Sequence, residues 1–233
     1  MLFKHAFQEN DLEETKFKYI SKMPKQIFIT IEGNIGSGKS TLLSRLRAQT
    51  QANIQFIDEP VGVWTTISDE NNKNLLELFY EDKVRWGYTF QNAAFITRYI
   101  CAKEALSKPI DQDTIYISER GILTDRYVFA TMLKDTKCLS EIEWNLYTKW
   151  FDQFKQSVPI NGVVYVKTPS NVCADRIKIR NRHEEENIPQ TYLDALDDYH
   201  NEWLHNETSI PVLEVTSDAE SVEKILKFAT SLL

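Results

Sequence analysis

The chain is poor in cysteine, has no excess of basic charge and contains no long apolar run. Three cysteines in 233 residues (Cys101, Cys138 and Cys173), with no C-x-x-C spacing, argue against a disulfide framework and fit a reducing compartment. Nothing beside them favours a thiolate, so they read as core or surface thiols. Lys and Arg number 27 against 34 Asp and Glu, a net charge of −7. Displacing counterions along a duplex needs a broad basic surface, so nucleic acid is not expected as a partner, although a local basic site for a small anion remains open. No apolar run reaches the ~18 residues of a membrane span, so no membrane partner is expected either. Residues 1–24 contain no Arg and carry Glu9, Asp11, Glu13 and Glu14 without an apolar stretch. They read as a flexible tail rather than a transit or signal peptide, which places the protein in the cytoplasm. There is no internal repeat, low-complexity segment or long linker. What remains, 42% hydrophobic and 26% charged, is an ordinary balance for one domain over 25–233.

Five short apolar, β-branched runs alternate with helical patterns: KQIFITIE after Pro24, NIQFIDEP (53–60), TIYISER (114–120), GVVYVKT (162–168) and PVLEVTS (211–217). The alternation predicts an α/β fold, a five-stranded parallel sheet covered by helices on both faces. The segment 71–106 reads as helical with a break near Glu81–Lys83. In 139–154, Leu139, Ile142, Leu146, Tyr147, Trp150, Phe151 and Phe154 recur at steps that define one apolar face.

Between the first strand and its helix stands EGNIGSGKST, in which Gly33-x4-Gly38-Lys39-Ser40 matches the P-loop pattern in the required strand–loop–helix context. The glycines let successive backbone N–H groups turn toward one anion, and the helix adds its positive end. Gly33, Asn34, Ile35, Gly36, Ser37, Gly38, Lys39, Ser40 and Thr41 are therefore the expected nucleotide-phosphate site. Lys39 would bridge the β- and γ-phosphates, and the Ser40 hydroxyl would meet Mg²⁺.

Several users of such a loop are disfavoured. There is no N-K-x-D segment to read guanine, since Asn72-Lys73-Asn74-Leu75 lacks the aspartate. The third strand ends in Glu119-Arg120 rather than the aspartate usual in pump and motor ATPases. Transfer to a small acceptor remains. In a parallel sheet ligands sit at the carboxyl ends of strands, where Asp58-Glu59-Pro60 and Glu119-Arg120-Gly121 fall. Phosphoryl transfer to a hydroxyl needs a proton acceptor and cations around the transferring group. Glu59 suits the first role, Arg120 the second, and Glu119 could hold Mg²⁺ with Ser40. Taken singly, each pair could also be a solvated ion pair or a cap. Arg176 and Arg180, four apart, share a helix face, with Arg182 in the loop beyond and Glu184 and Glu185 after it. The group reads as a lid of phosphate-binding forks or as a solvated mixed-charge helix end.

Six stretches, IEGNIGSGKST, EPVGVW, YTFQ, ERGILTDRYVFA, EWNLYTKW and RIKIRNRHEEENIPQTYL, fall in the order and spacing of the deoxyribonucleoside kinases, which the chain resembles from about Gln26 to Leu213. The resemblance implies the P-loop kinase fold with an Arg-rich lid. It implies Glu59 as general base on a nucleoside 5′-hydroxyl, with Arg120 as its partner. It implies Gln91 reading the base edge, Trp64, Phe90 and Phe129 walling the base, and Tyr80 and Glu185 holding the sugar 3′-hydroxyl. Arg176, Arg180 and Arg182 match the family's lid. Arg98 and Asp125 are kept in members acting on deoxycytidine and purine deoxynucleosides, and a charged pair there fills the space of a 5-methyl group. Deoxycytidine or a purine deoxynucleoside is thus expected ahead of thymidine, unless the pair is a purely structural salt bridge. Gly121 stands where the family usually has serine, and His183 where asparagine is common. The glycine is expected to loosen the turn that aims Arg120.

The expected activity is transfer of the γ-phosphate of ATP or another NTP, with Mg²⁺, to a 2′-deoxynucleoside in nucleotide salvage. Family members pair through two long helices, so a homodimer through 139–154 and 83–106 is expected; both stripes could equally face the protomer's own core. A deoxynucleoside monophosphate kinase and a non-catalytic nucleotide-binding regulator are the alternatives.

Overall fold

The computed structural model describes residues 24–50 and 53–233. The tail expected over 1–24 lies, apart from Pro24, outside the described residues. Five parallel strands form one sheet: β1 (Gln26–Glu32), β2 (Ile54–Ile57), β3 (Thr114–Glu119), β4 (Gly162–Val166) and β5 (Val212–Val215), in the order β2-β3-β1-β4-β5. Each coincides with one of the apolar runs.

The alternation along β1 sorts its side chains onto two faces. Ile27, Ile29 and Ile31 pack with Ile115, Ile117, Val164 and Val166 under α1 (Lys39–Gln49) and the closing helix α9 (Glu220–Ser231). Phe28 and Tyr116 point to the opposite, aromatic-rich layer. That layer is built by α4 (Lys83–Leu106), the helical run α5 over 122–135, and α6 (Glu141–Phe154). Two short helices, α2 (Val61–Thr66) and α3 (Leu75–Glu81), lie over the carboxyl end of β2, and α7 (Ser170–Arg180) and α8 (Gln190–Glu202) follow β4.

The break in 71–106 falls at Asp82, whose backbone leaves the helix and whose carboxylate caps α4 by accepting from Arg85 N. Ser140 and Glu143 form a capping box at the start of α6. The apolar face of 139–154 splits in two. Leu139, Tyr147 and Phe151 are buried, whereas Ile142 (81% exposed), Leu146 and Trp150 point outward. Ile96 and Ile100 of α4 are also exposed. Half of the stripe thus faces the protomer's own core and half faces outward. The three cysteines are free, and among the described residues no helix is long and apolar enough to cross a membrane.

Candidate active site

In this strand order β1 is central: the connection leaving β1 runs to β2 on one side, whereas the one leaving its neighbour β3 crosses β1 to β4 on the other. A crevice opens at such a switch point, outside the carboxyl ends of the strands. The loop after β1 lies there, beside a cavity of about 700 Å³, a volume usual for small-molecule sites. At Gly36, φ is +79° and an added Cβ would stand 2.5 Å from the Cys173 carbonyl oxygen, so only glycine fits. Asn34 props the loop, donating to Leu193 O at 2.8 Å while its Oδ1 accepts from Ile35 N. The Ser37 carbonyl accepts from Thr168 and from Arg176 Nη1.

Lys39 is buried and donates to Gly33 O (3.2 Å) and Asn34 O (2.7 Å). Burial, with Arg120 adding like-charge repulsion, pulls its ammonium down to about 8. It keeps its charge at neutral pH, and nearby phosphates would strengthen that. Ile35, Thr41 and Ser40 line the cavity beside it. Ser40 Oγ donates to Glu119 Oε1 at 2.7 Å, so the two expected metal ligands meet. Both are hard oxygens, and among the described residues no group of three or more His, Cys, Asp or Glu could hold a metal. A two-oxygen donor set fits Mg²⁺, which keeps waters and takes its remaining ligands from phosphates.

Glu59 lies two residues past β2. Its Oε1 meets Arg98 Nη2 at 2.5 Å and Arg120 Nε at 3.1 Å. Its Oε2 accepts no hydrogen bond among the described residues. Burial by itself would raise this carboxyl, but Arg98, Arg120 and Lys39 outweigh it and hold the group at about 2. Arg120 takes φ +62°, a left-handed conformation costly for a side-chain-bearing residue. It is held there by donation to Gly33 O (2.8 Å), by Glu59, and by stacking of its guanidinium 5.0 Å from the Phe129 ring. Gly121 does not loosen this turn. Its backbone is extended, and an added Cβ would stand 2.5 Å from Thr30 Cγ2, so Thr30 packs where a serine side chain would begin.

Arg98 also pairs with Asp125, which sits in a π-turn (Asp125–Ala130) within α5. The wider turn, common at functional sites, belongs to the same segment that sends Phe129 to the cavity. Burial pushes the Asp125 carboxyl up to about 6 despite Arg98. The Arg98 guanidinium stacks 4.9 Å from Trp64. Trp64 meets Phe90 edge-on at 5.3 Å. Gln91 is buried, and its Oε1 has no hydrogen-bond partner among the described residues. A buried acceptor of that kind is normally satisfied. Tyr80 lines the cavity with its hydroxyl pKa raised by burial and then by Tyr192 and Glu185. Glu185 is buried and engaged by Arg180 and, at 2.7 Å, by Arg182. Arg176 and Arg180 share the cavity-facing side of α7, and Arg182 follows Asn181, which ends the helix in a left-handed conformation.

All the expected residues that line the cavity thus converge on one space. The sequence reading missed Phe79, which stacks on Phe90 at 4.4 Å, and Leu76 and Ala94 beside it. A signal existed, since Leu76, Phe79 and Tyr80 stand three and four apart on one short helix. It also missed Arg45, which donates to Ser217 O at 2.6 Å at the loop end of the cavity.

The sequence model of the deoxynucleoside kinases matches residues 29–231. A probable deoxycytidine kinase of fowlpox virus is 37% identical over 94% of this chain and 91% of its own length. Human deoxycytidine kinase is 32% identical over 88% of this chain and 91% of its own. The mitochondrial deoxyguanosine kinase of Xenopus laevis is 36% identical over 78% of this chain and 74% of its own. The loop, the clamped carboxylate and these matches agree, and the chain belongs to the deoxynucleoside kinase family.

Proposed function

We propose that the protein transfers the γ-phosphate of ATP or another NTP to the 5′-hydroxyl of a 2′-deoxynucleoside, with deoxycytidine or a purine deoxynucleoside preferred over thymidine. The observation that carries this reading is Glu59: one oxygen is clamped by two guanidiniums, and the other, beside the phosphate loop's cavity, accepts no hydrogen bond among the described residues. Glu59 Oε2 accepts the hydrogen of the 5′-hydroxyl and orients its oxygen in line with the phosphoryl group. A carboxyl held at about 2 is a weak base, so the proton passes late, as the new O–P bond forms. Lys39, Arg120 and the arginines 176, 180 and 182 offset the charge on the equatorial oxygens. Held over the phosphates, those arginines exclude water and limit hydrolysis. Ser40 and Glu119 would hold Mg²⁺, which when bound would supply further charge neutralisation. Tyr80 and Glu185 hold the sugar 3′-hydroxyl.

The preference among bases follows from Gln91 and the Arg98–Asp125 pair. The amide offers an acceptor to an amino-substituted base edge, and the ion pair fills the space a thymine methyl needs. The relatives named as deoxycytidine and deoxyguanosine kinases support the same direction. The outward residues Ile142, Leu146, Trp150, Ile96 and Ile100 support a homodimer through α4 and α6, since exposed apolar patches of this kind mark interfaces. Three free cysteines fit a cytoplasmic salvage enzyme.

A phosphorylation assay with the four deoxynucleosides alongside dCMP and dTMP tests the reading. Turnover of deoxycytidine or a purine deoxynucleoside is expected. Turnover of monophosphates alone identifies a monophosphate kinase instead, and tight ATP binding without any turnover identifies a regulator.

A further inference from the structure

Lys83 opens α4 immediately after the break at Asp82, behind the wall of the nucleoside cavity. Its Nζ donates to Tyr80 O at 3.3 Å. It lies 5.0 Å from the Tyr192 ring centroid, 5.5 Å from that of Tyr80 and 5.7 Å from that of Phe79. Two of these rings come from α3 and one from α8, and Tyr80 meets Tyr192 edge-on at 6.5 Å. No carboxylate pairs with Lys83 among the described residues. Burial lowers its ammonium pKa, an effect that Cys138 partly counters. A half-buried cation without a counter-ion recovers its lost hydration from ring quadrupoles, and three faces around one ammonium form an aromatic cage.

The cage is intramolecular, and two of its walls, Phe79 and Tyr80, also line the cavity. Phe79 stacks on Phe90 at the base end of the cavity, and Tyr80 lines the cavity near Glu185. We infer that Lys83 is a positioning residue for the sugar subsite: its ammonium ties Tyr80 to Tyr192 across the α3–α4 break and so fixes the hydroxyl that meets the nucleoside 3′-hydroxyl. This rests on the role given to Tyr80 above. The ammonium does not touch the nucleoside. It removes freedom from a phenol whose hydrogen bond is sensitive to small displacements.

The test compares a 2′-deoxynucleoside with its 2′,3′-dideoxy counterpart on the full-length protein. A site built to bind a hydroxyl discriminates strongly against its absence, so the unaltered protein is expected to favour the 3′-hydroxyl in kcat/KM. Lys83→Met keeps an unbranched stem and removes the charge. It should reduce that preference about tenfold, mainly through KM of the deoxynucleoside, the size expected for a partly desolvated cation–π contact. Lys83→Arg should restore most of the preference, since a guanidinium also stacks on rings. Both substrates are measured on one preparation, so a loss of folded protein cancels in the ratio. If Lys83→Met depresses both substrates equally, or neither, the inference is overturned while the role of Tyr80 stands. If the unaltered protein does not distinguish the two substrates, the role of Tyr80 falls and the inference falls with it.

Discussion

Replacing Glu59 by glutamine keeps the side chain's shape, removes its charge and puts a poor base opposite the 5′-hydroxyl. Loss of a positioned general base costs about 10²- to 10⁴-fold in rate. The accompanying stability change follows from the ion cluster. Glu59 is depressed from 4.5 to about 2, which at about 1.36 kcal/mol per pH unit corresponds to roughly 3 kcal/mol of stabilisation. That contribution is present above about pH 4.5 and is lost as pH falls through about 2, the sign for a carboxyl whose folded pKa lies below its unfolded one. Asp125 works the other way. It is raised from 3.8 to about 6, so near neutral pH it destabilises the fold by a similar amount, an effect relieved as pH falls from 6 toward 4. Glu59 is one of the groups raising Asp125, so its removal lets Asp125 relax downward and pair better with Arg98. Burial, not Glu59, is the main cause of the Asp125 shift, so this relief is small and Glu59→Gln should lose about 2–3 kcal/mol, a fall in Tm of roughly 4–12 °C for a chain of this size. Steady-state kinetics with deoxycytidine, thermal melts and a nucleoside titration measure the three quantities. A kcat within about threefold of the unaltered protein, with binding intact, would refute the assignment of Glu59 as base.

Exchanging Arg98 for valine together with Asp125 for alanine removes a buried pair and leaves Glu59 paired with Arg120 alone. It should raise kcat/KM for thymidine relative to deoxycytidine at least about tenfold, measured by competition between the two nucleosides. Because Asp125 titrates near 6, kcat/KM for deoxycytidine should fall as pH drops below about 6, and Asp125→Asn should abolish that limb; an unchanged limb places the titration elsewhere. Ser40→Ala and Glu119→Gln should each raise the Mg²⁺ concentration for half-maximal activity about tenfold, read from a metal titration at fixed ATP. Trp150→Glu should convert a dimer to a protomer of 27.2 kDa in sedimentation equilibrium, whereas an unaltered mass removes α6 from the interface.

Much of this protein is written locally. The five strands announce themselves as short apolar runs, because a strand buried on both faces needs an apolar residue at nearly every position. The phosphate loop is legible for the same reason of proximity: glycines, lysine and serine act within one turn of each other, and Gly36 is required by a carbonyl only 2.5 Å away. The helix break near 82 was readable too, and so were the candidate base and its arginine at strand ends.

Tertiary structure alone decided how those residues are shared. Arg98 bridges Glu59, 39 positions earlier, and Asp125, 27 positions later, and no periodicity encodes a contact between three separate elements. The same holds for the apolar stripe of α6, which the neighbouring helices divide between inside and outside. It holds for the π-turn over 125–130 and for the ring cage around Lys83, assembled from helices over a hundred residues apart. Apolar pattern and loop chemistry depend on a residue's immediate neighbours and survive in the one-dimensional string. Ion pairing, burial of charge and the shape of a cavity depend on which segments meet, and that exists only once the sheet has ordered its strands.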